Sequence, residues 1–222
     1  MDTTQQLFDA IRGGDANQVR TLVAQDHALV NARNDRGHSP VLIAQYHRQR
    51  ACLDVLLAAG PTLDIHDAAS VGATARVAEL LDSDPALLNS YSGDGFFPLA
   101  LAAFFGHPET VRLLLARGAD PTLVARNPMK VQALHSAVAA RSFEAVKLLV
   151  EAGAPVNGKQ QEGWAPLHEA VNQNNVELVQ YLLAHGADPK QQNDAGTSAI
   201  GLAGNKAFVE VLKVLKAGRG QA

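Results

Sequence analysis

Eight histidines and one cysteine are the side chains in these 222 residues best suited to metal or nucleophilic chemistry, yet their spacing supports neither. A zinc hydrolase holds two histidines one helical turn apart in a His-Glu-x-x-His run, because that spacing aims both rings at one ion. His168-Glu169 is only a fragment of such a run, since Asn172 stands where the second histidine would fall. Cys52 has no second cysteine with which to form a disulfide or a cysteine-based zinc site, and reads as a packed helix residue. No Gly-x-Ser-x-Gly elbow and no complete Gly-x-x-x-x-Gly-Lys-Ser/Thr phosphate loop is present, and Gly13-Gly14 and Gly93-Asp94-Gly95 read as turns. The acids Asp35, Asp94, Glu162 and Asp194 fall in separate turns, so their spacing defines no acid–base pair. The sequence is expected to be non-enzymatic, with no metal and no cofactor.

The elements that carry these residues are built for a soluble scaffold. Hydrophobic residues make up 47% of the chain and charged ones 18%, with 19 Lys+Arg against 22 Asp+Glu. That balance suits a folded domain and is too even for general binding to nucleic acid. The opening Met1-Asp2-Thr3-Thr4-Gln5-Gln6 lacks the basic start and apolar core of an export signal, and no run of apolar residues is long enough to span a bilayer. Nor does any Pro/Gly/Ser-rich linker divide the chain. One domain over 1–222 is expected, monomeric, cytoplasmic and away from membranes.

Internal repetition is the strongest signal. Leu7, Val41, Ile65, Leu99, Leu134, Leu167 and Ile200 follow one another at steps of 34, 24, 34, 35, 33 and 33. Three residues after each comes an alanine: Ala10, Ala44, Ala68, Ala102, Ala137, Ala170 and Ala203. Fifteen residues after each comes a leucine: Leu22, Leu56, Leu80, Leu114, Leu149, Leu182 and Leu215. The pattern predicts two short helices per unit, with alanine where helices approach closely and leucine filling the space between them. A pair this small cannot bury its own apolar face, so neighbours must stack into an all-α solenoid. Leu114→Ala should therefore cost about 2–5 kcal/mol.

The segment Gly95-Phe96-Phe97-Pro98-Leu99, Ala102-Ala103, Gly106-His107, Leu113-Leu114-Leu115, Gly118-Ala119-Asp120 resembles the consensus of ankyrin repeats, as does Gly163-Trp164-Ala165-Pro166-Leu167-His168 with Leu182-Leu183 and Gly186-Ala187-Asp188. The resemblance implies an ankyrin-repeat solenoid of helix–turn–helix units with short hairpin fingers, divided near 4–35, 36–62, 63–92, 93–126, 127–160, 161–193 and 194–222. It also makes His135 and His168 structural residues whose rings bond neighbouring backbone. Departures are informative. The motif threonine is replaced by Ser39, Phe97, Gln132, Ala165 and Ser198, so few first helices have a hydroxyl cap. Units one and three end in Asp26–Asn31 and Asp84–Asn89, 58 residues apart, which suggests a duplicated two-unit block. The step of 24 removes a finger around Pro61-Thr62-Leu63-Asp64 and predicts a notch between units two and three. The step of 35 adds residues around Asn127-Pro128-Met129-Lys130 and predicts a protruding finger. Lys206, Lys213, Lys216 and Arg219 make the last helices a solvated cap.

In such a solenoid the finger tips and the exposed side of each first helix form the recognition face. Carried across, these positions are His38, Tyr46 and His47; Ser70 and Val71; Phe96, Phe104 and Phe105; Val131 and Ala139; Trp164, Asn172 and Gln173. Aromatics are 5% of the chain, and rigid aromatic side chains anchor binding hot spots. The leading expectation is an adaptor that grips a partner protein or extended peptide there. One alternative is a small-ligand or substrate-recruiting accessory subunit with a pocket in the notch after Gly60, beside Tyr46, Ser70 and Val71. The remaining alternative is an unrecognised enzyme.

Overall fold

Fourteen α-helices in seven antiparallel pairs account for the described residues, 2–217, of the computed structural model. In chain order they are α1 (Thr3–Gly13) with α2 (Ala16–Gln25), α3 (Pro40–Tyr46) with α4 (Arg50–Ala58), α5 (Ile65–Val71) with α6 (Thr74–Ser83), α7 (Pro98–Phe104) with α8 (Pro108–Ala116), α9 (Ala133–Ala139) with α10 (Phe143–Glu151), α11 (Pro166–Asn172) with α12 (Val176–Ala184), and α13 (Ala199–Asn205) with α14 (Val209–Ala217). Odd helices stack in one layer and even helices in another, which is an all-α solenoid. Arg219 lies outside the described residues.

Each pair turns on a residue with left-handed backbone four places after the aligned alanine: Gly14, Arg48, Gly72, Gly106, Arg141, Asn174 and Ala207, at φ between 53 and 76. Only some of these are glycine, so the turn geometry is imposed by packing at Arg48, Arg141 and Ala207. The aligned alanines are buried, as are Leu22, Leu56, Leu114, Leu149, Leu182 and Leu215. Leu80 is half-buried and packs against the core beside the fully buried Leu81. Ile200 and Leu212 are also half-buried and pack against the core from α13 and α14. Lys206, Lys213 and Lys216 are exposed on these last helices. Cys52 is buried within α4.

Hydrophobic burial alone would not fix the ends of such short helices. Ser39 Oγ and Ser198 Oγ accept from Leu42 N and Gly201 N, and the Asp64 carboxylate caps α5 at both His66 N and Asp67 N. The first helices lacking a hydroxyl at α9 and α11 use histidine. His135 Nδ1 and His168 Nδ1 accept from Gln132 N and Ala165 N at 3.3 and 3.1 Å, while His135 Nε2 bonds the Gly158 carbonyl and that of Trp164 in the next unit, and His168 Nε2 that of Thr197 in the next unit. Each ring thus ties a helix start to its neighbour. The two similar endings, His27–Asn31 and Pro85–Asn89, are both 3₁₀ turns capped by Asp26 and Asp84. Asn31 and Asn89 then accept backbone bonds from Thr62 and Asp120 in the following unit.

Candidate functional site

Fingers precede α3, α7, α9, α11 and α13. Each closes with a backbone bond across its base, such as Asn34 N to His38 O and Ser92 N to Phe96 O. The finger before α9 spans from Ala125 N to Val131 O, longer than its neighbours, which is the extension expected from the step of 35. Successive fingers are linked laterally: Arg126 N donates to Gly95 O, Gln161 N to Met129 O and Asp194 N to Glu162 O.

The chain runs from α4 to α5 without a finger, as the step of 24 implies, and leaves a recess of about 680 Å³ between residues 61–63 and the start of α6. The fingers on either side converge over the gap. A Cβ on Gly93 would stand 2.3 Å from the Arg36 carbonyl oxygen, so these two tips approach as closely as glycine allows. Asp94 fastens them: its Oδ2 accepts from Tyr46 Oη at 2.7 Å, its Oδ1 accepts from Ser92 Oγ at 2.5 Å, and its carbonyl accepts from Asn127 Nδ2 at 2.9 Å. His38 Nε2 lies 3.4 Å from Asp94 Oδ2 but is misaligned for a hydrogen bond, and acts as an electrostatic neighbour. Burial opposes the charge on Asp94, yet His38, Ser92 and Tyr46 outweigh it and hold the carboxyl well below the usual carboxylate range. Burial and the adjacent Asp94 push the Tyr46 hydroxyl up, so it stays a donor.

Behind this clasp lies a cleft of about 940 Å³ on the concave side. Its floor is Ile43, Ala100, Leu101 and Val131, and its walls run from Gln5, Arg12 and Arg36 at one end to Met129, Gln160 and Glu169 at the other. Phe104 and Met129, two of the most exposed large hydrophobic residues, face into it at 41% and 48% exposure. Exposed apolar side chains gathered in one concavity are the usual mark of a contact surface.

Of the residues expected on the recognition face, His38, Tyr46, His47, Phe96 and Phe104 line this cleft, with Val131 and Ala139. His38 and Val131 are nevertheless buried, forming wall rather than rim. Phe105 does not line it; it packs edge-on to Phe104 at 5.1 Å and against Tyr46 at 6.0 Å, holding both in place. Trp164 is half-buried beside His168. Asn172 and Gln173 lie outside the lining and are bonded, to Lys206 Nζ at 2.6 Å and to the Val138 carbonyl at 2.8 Å respectively. Ser70 is buried, donating to the Asp67 carbonyl, while its own carbonyl accepts from Gln45 and His107. Of the residues expected to border a pocket after Gly60, Tyr46 lines the cleft and Ser70 is buried. Sequence reading missed Arg12, Met129 and above all Asp94. The signal for Asp94 was present: an acid between two glycines, next to a missing finger.

Among the described residues no cluster of His, Cys, Asp and Glu has the arrangement of a metal site, and no helix is long and apolar enough to cross a membrane. His135 and His168, the best placed imidazoles, have both ring nitrogens engaged, and burial lowers both, His135 to about 4.

A family model described as ankyrin repeats in three copies matches residues 65–160 and 134–219. The chain is 30% identical over 171 residues, 70% of its length, to the nuclear factor NF-kappa-B p105 subunit of Gallus gallus, covering 17% of that protein. It is 42% identical over 65 residues to the DNA-binding protein RFXANK of Homo sapiens, covering 29% of this chain and 25% of that one. Over 73 residues it is 40% identical to the human NAD-capped RNA hydrolase NUDT12, covering 33% of this chain and 15% of the hydrolase. The matched part is therefore a small share of each relative.

Proposed function

The chain belongs to the ankyrin-repeat family, and from that premise we propose that it is a protein-interaction module that seats a partner protein or extended peptide in its concave cleft. The observation that carries this reading is the convergence of exposed Phe104 and Met129 with Tyr46, Phe96 and Leu101 in one concavity. A partner covering them removes apolar surface from water at about 25 cal/mol per Å², and the aromatics are already held by Phe105 and Asp94, so little ordering is required on binding. The polar ends, Arg12, Arg36 and His47 on one side and Gln160 and Glu169 on the other, supply the rim. No catalytic step is assigned: the cleft histidines serve the wall and the backbone, and the short match to a hydrolase gives no reason to transfer its activity.

A second reading has one observation in its favour. A volume of about 940 Å³ falls within the range of small-molecule sites, so the same cleft suits a small ligand. Size-exclusion chromatography of a native extract with the purified chain, followed by identification of the co-eluting component, separates the two. A protein that leaves the complex when Phe104 becomes alanine supports the module. A rise in thermal midpoint with metabolites alone, and no co-eluting protein, supports the small ligand.

A further inference from the structure

The two walls of the cleft belong to separately packed bodies. Buried apolar side chains form one cluster from Leu7 to Leu56, in the first two pairs, and another from Ile65 to Leu215 that takes only Leu42 from the second pair. Leu42, Tyr46, Leu63 and Val71 pack across the seam between them, and polar groups cross it beside them. Ser39 Oγ donates to Asp67 Oδ1 at 2.5 Å, Gln45 Nε2 donates to the Ser70 carbonyl, and Arg33 pairs with Asp64 at 3.0 Å and Asp67 at 3.5 Å. The lateral backbone bond that joins later fingers has no counterpart between the second and third pairs, because the third pair has no finger.

Asp67 sits at the middle of this seam. It is 1% exposed and stands two residues after Ile65, the register that Ile43 and Leu101 fill with apolar side chains in adjacent units. An ionised carboxyl there gives up its hydration and gains only part of it back from Ser39 and Arg33.

We propose that the seam between the second and third pairs is a hinge set by the charge on Asp67: neutral, it lets the first two pairs close on the remaining five; ionised, it draws water into the seam and swings them apart about the Tyr46–Asp94 contact, which stays closed, widening the rest of the cleft. The motion acts on the cleft described above and rests on that reading for its purpose, while its test involves no partner.

The groups facing Asp67 are Arg33 from the segment before α3, Ser39 and Tyr46 from α3, and Asp64 at the start of α5. Asp94 and His38 lie beyond Tyr46. Burial and Asp64 oppose the charge, Ser39 and Arg33 favour it, and the balance raises the Asp67 carboxyl to about 6. A raised value in the closed form means closure is most favoured below about 4 and is weakened as pH rises through about 6. If opening restores the ordinary 3.8, the closed-to-open ratio falls about 100-fold across that window. His66, also on α5, is lowered by burial and titrates with the opposite sense, so a variant at Asp67 is needed to separate the two.

Paired spin labels on exposed Asn17 of α2 and Glu177 of α12, in a Cys52→Ala background, report the distance between the bodies by pulsed electron resonance. The expected result is a longer and broader distribution at about pH 8 than at about pH 4.5, and the short distance at both values in Asp67→Asn. An unchanged distance in the parent chain, or an undiminished shift in Asp67→Asn, overturns the hinge without touching the partner reading. Should Asp67→Asn fail to fold, Asp67→Leu, which restores the apolar residue found at Leu101, serves: the short distance is expected at both pH values, and an undiminished shift overturns the proposal.

Discussion

Between the fifth and sixth helical pairs, His135 is bonded to backbone at both ring nitrogens, Gln161 joins one finger to the next, and one apolar cluster runs through without a break. Between the second and third pairs the finger is missing, the buried apolar clusters part, and Ser39, Asp67, Arg33 and Asp64 make contact beside Leu42, Leu63 and Val71. Both contacts bring neighbouring helices together, yet they respond to different conditions. The regular stack is held by buried area and uncharged rings. The seam holds a buried carboxyl, Asp67, whose charge depends on pH.

The comparison breaks most readily through the core of the regular stack. Leu114→Ala and Phe97→Ala remove side chains at 0% and 1% exposure, and losses of about 2–5 kcal/mol are expected in urea unfolding. A loss under about 1 kcal/mol would mean that these side chains are not enclosed between pairs.

Acid sharpens the contrast. His135 is lowered to about 4 by burial, so the unfolded chain takes up its proton first as pH falls. The stability it contributes is present above about 6.5 and is lost between there and about 4, on the order of 3 kcal/mol. Asp67, raised to about 6, acts in the opposite sense: its contribution is present below about 4 and is lost as pH rises through 6. Thermal midpoints from about pH 4 to 8 should therefore rise less steeply toward neutral pH in His135→Gln, and more steeply in Asp67→Asn, than in the parent. Identical profiles for the two variants would contradict the difference drawn between the stack and the seam.

Smaller in free energy but closer to function, Phe104→Ala and Met129→Ala should each weaken partner binding about tenfold, or ~1.4 kcal/mol, with the thermal midpoint shifted by no more than a degree or two. The smallest effect concerns the turns. Arg141 adopts φ 56, a conformation costing ~1–2 kcal/mol for a side-chain-bearing residue, against ~0.5–1 kcal/mol of added chain entropy for glycine. Arg141→Gly should stabilise by about 0.5 kcal/mol, and a destabilised variant would show that the Arg141 side chain contributes packing.

Most of the helical framework was legible because it repeats. The alanine at offset three and the leucine at offset fifteen report local periodicity, and the missing finger follows from a subtraction of residue numbers. What could not be read were contacts between units that the missing finger brings together. The step of 24 leaves its recess along residues 61–63 while the neighbouring fingers converge beside it, and only three-dimensional curvature places Asp94 against Tyr46 and His38. Asn172, at the repeat position of Tyr46 and Phe104, and Gln173, at that of His47 and Phe105, lie outside the cleft, bonded instead to Glu169, Lys206 and the Val138 carbonyl. Asp67 looked like any helix residue, because burial of a single carboxyl leaves no periodic trace.

The claim on which the account turns is that partners enter from the concave side. A photo-reactive phenylalanine analogue placed at Phe104 and, in a separate protein, at exposed Glu109 on α8 of the other layer tests it in native extract. The account predicts one dominant cross-linked protein from position 104, competed away by unlabelled chain, and none from position 109. Adducts confined to position 109, or equal at both, would contradict it.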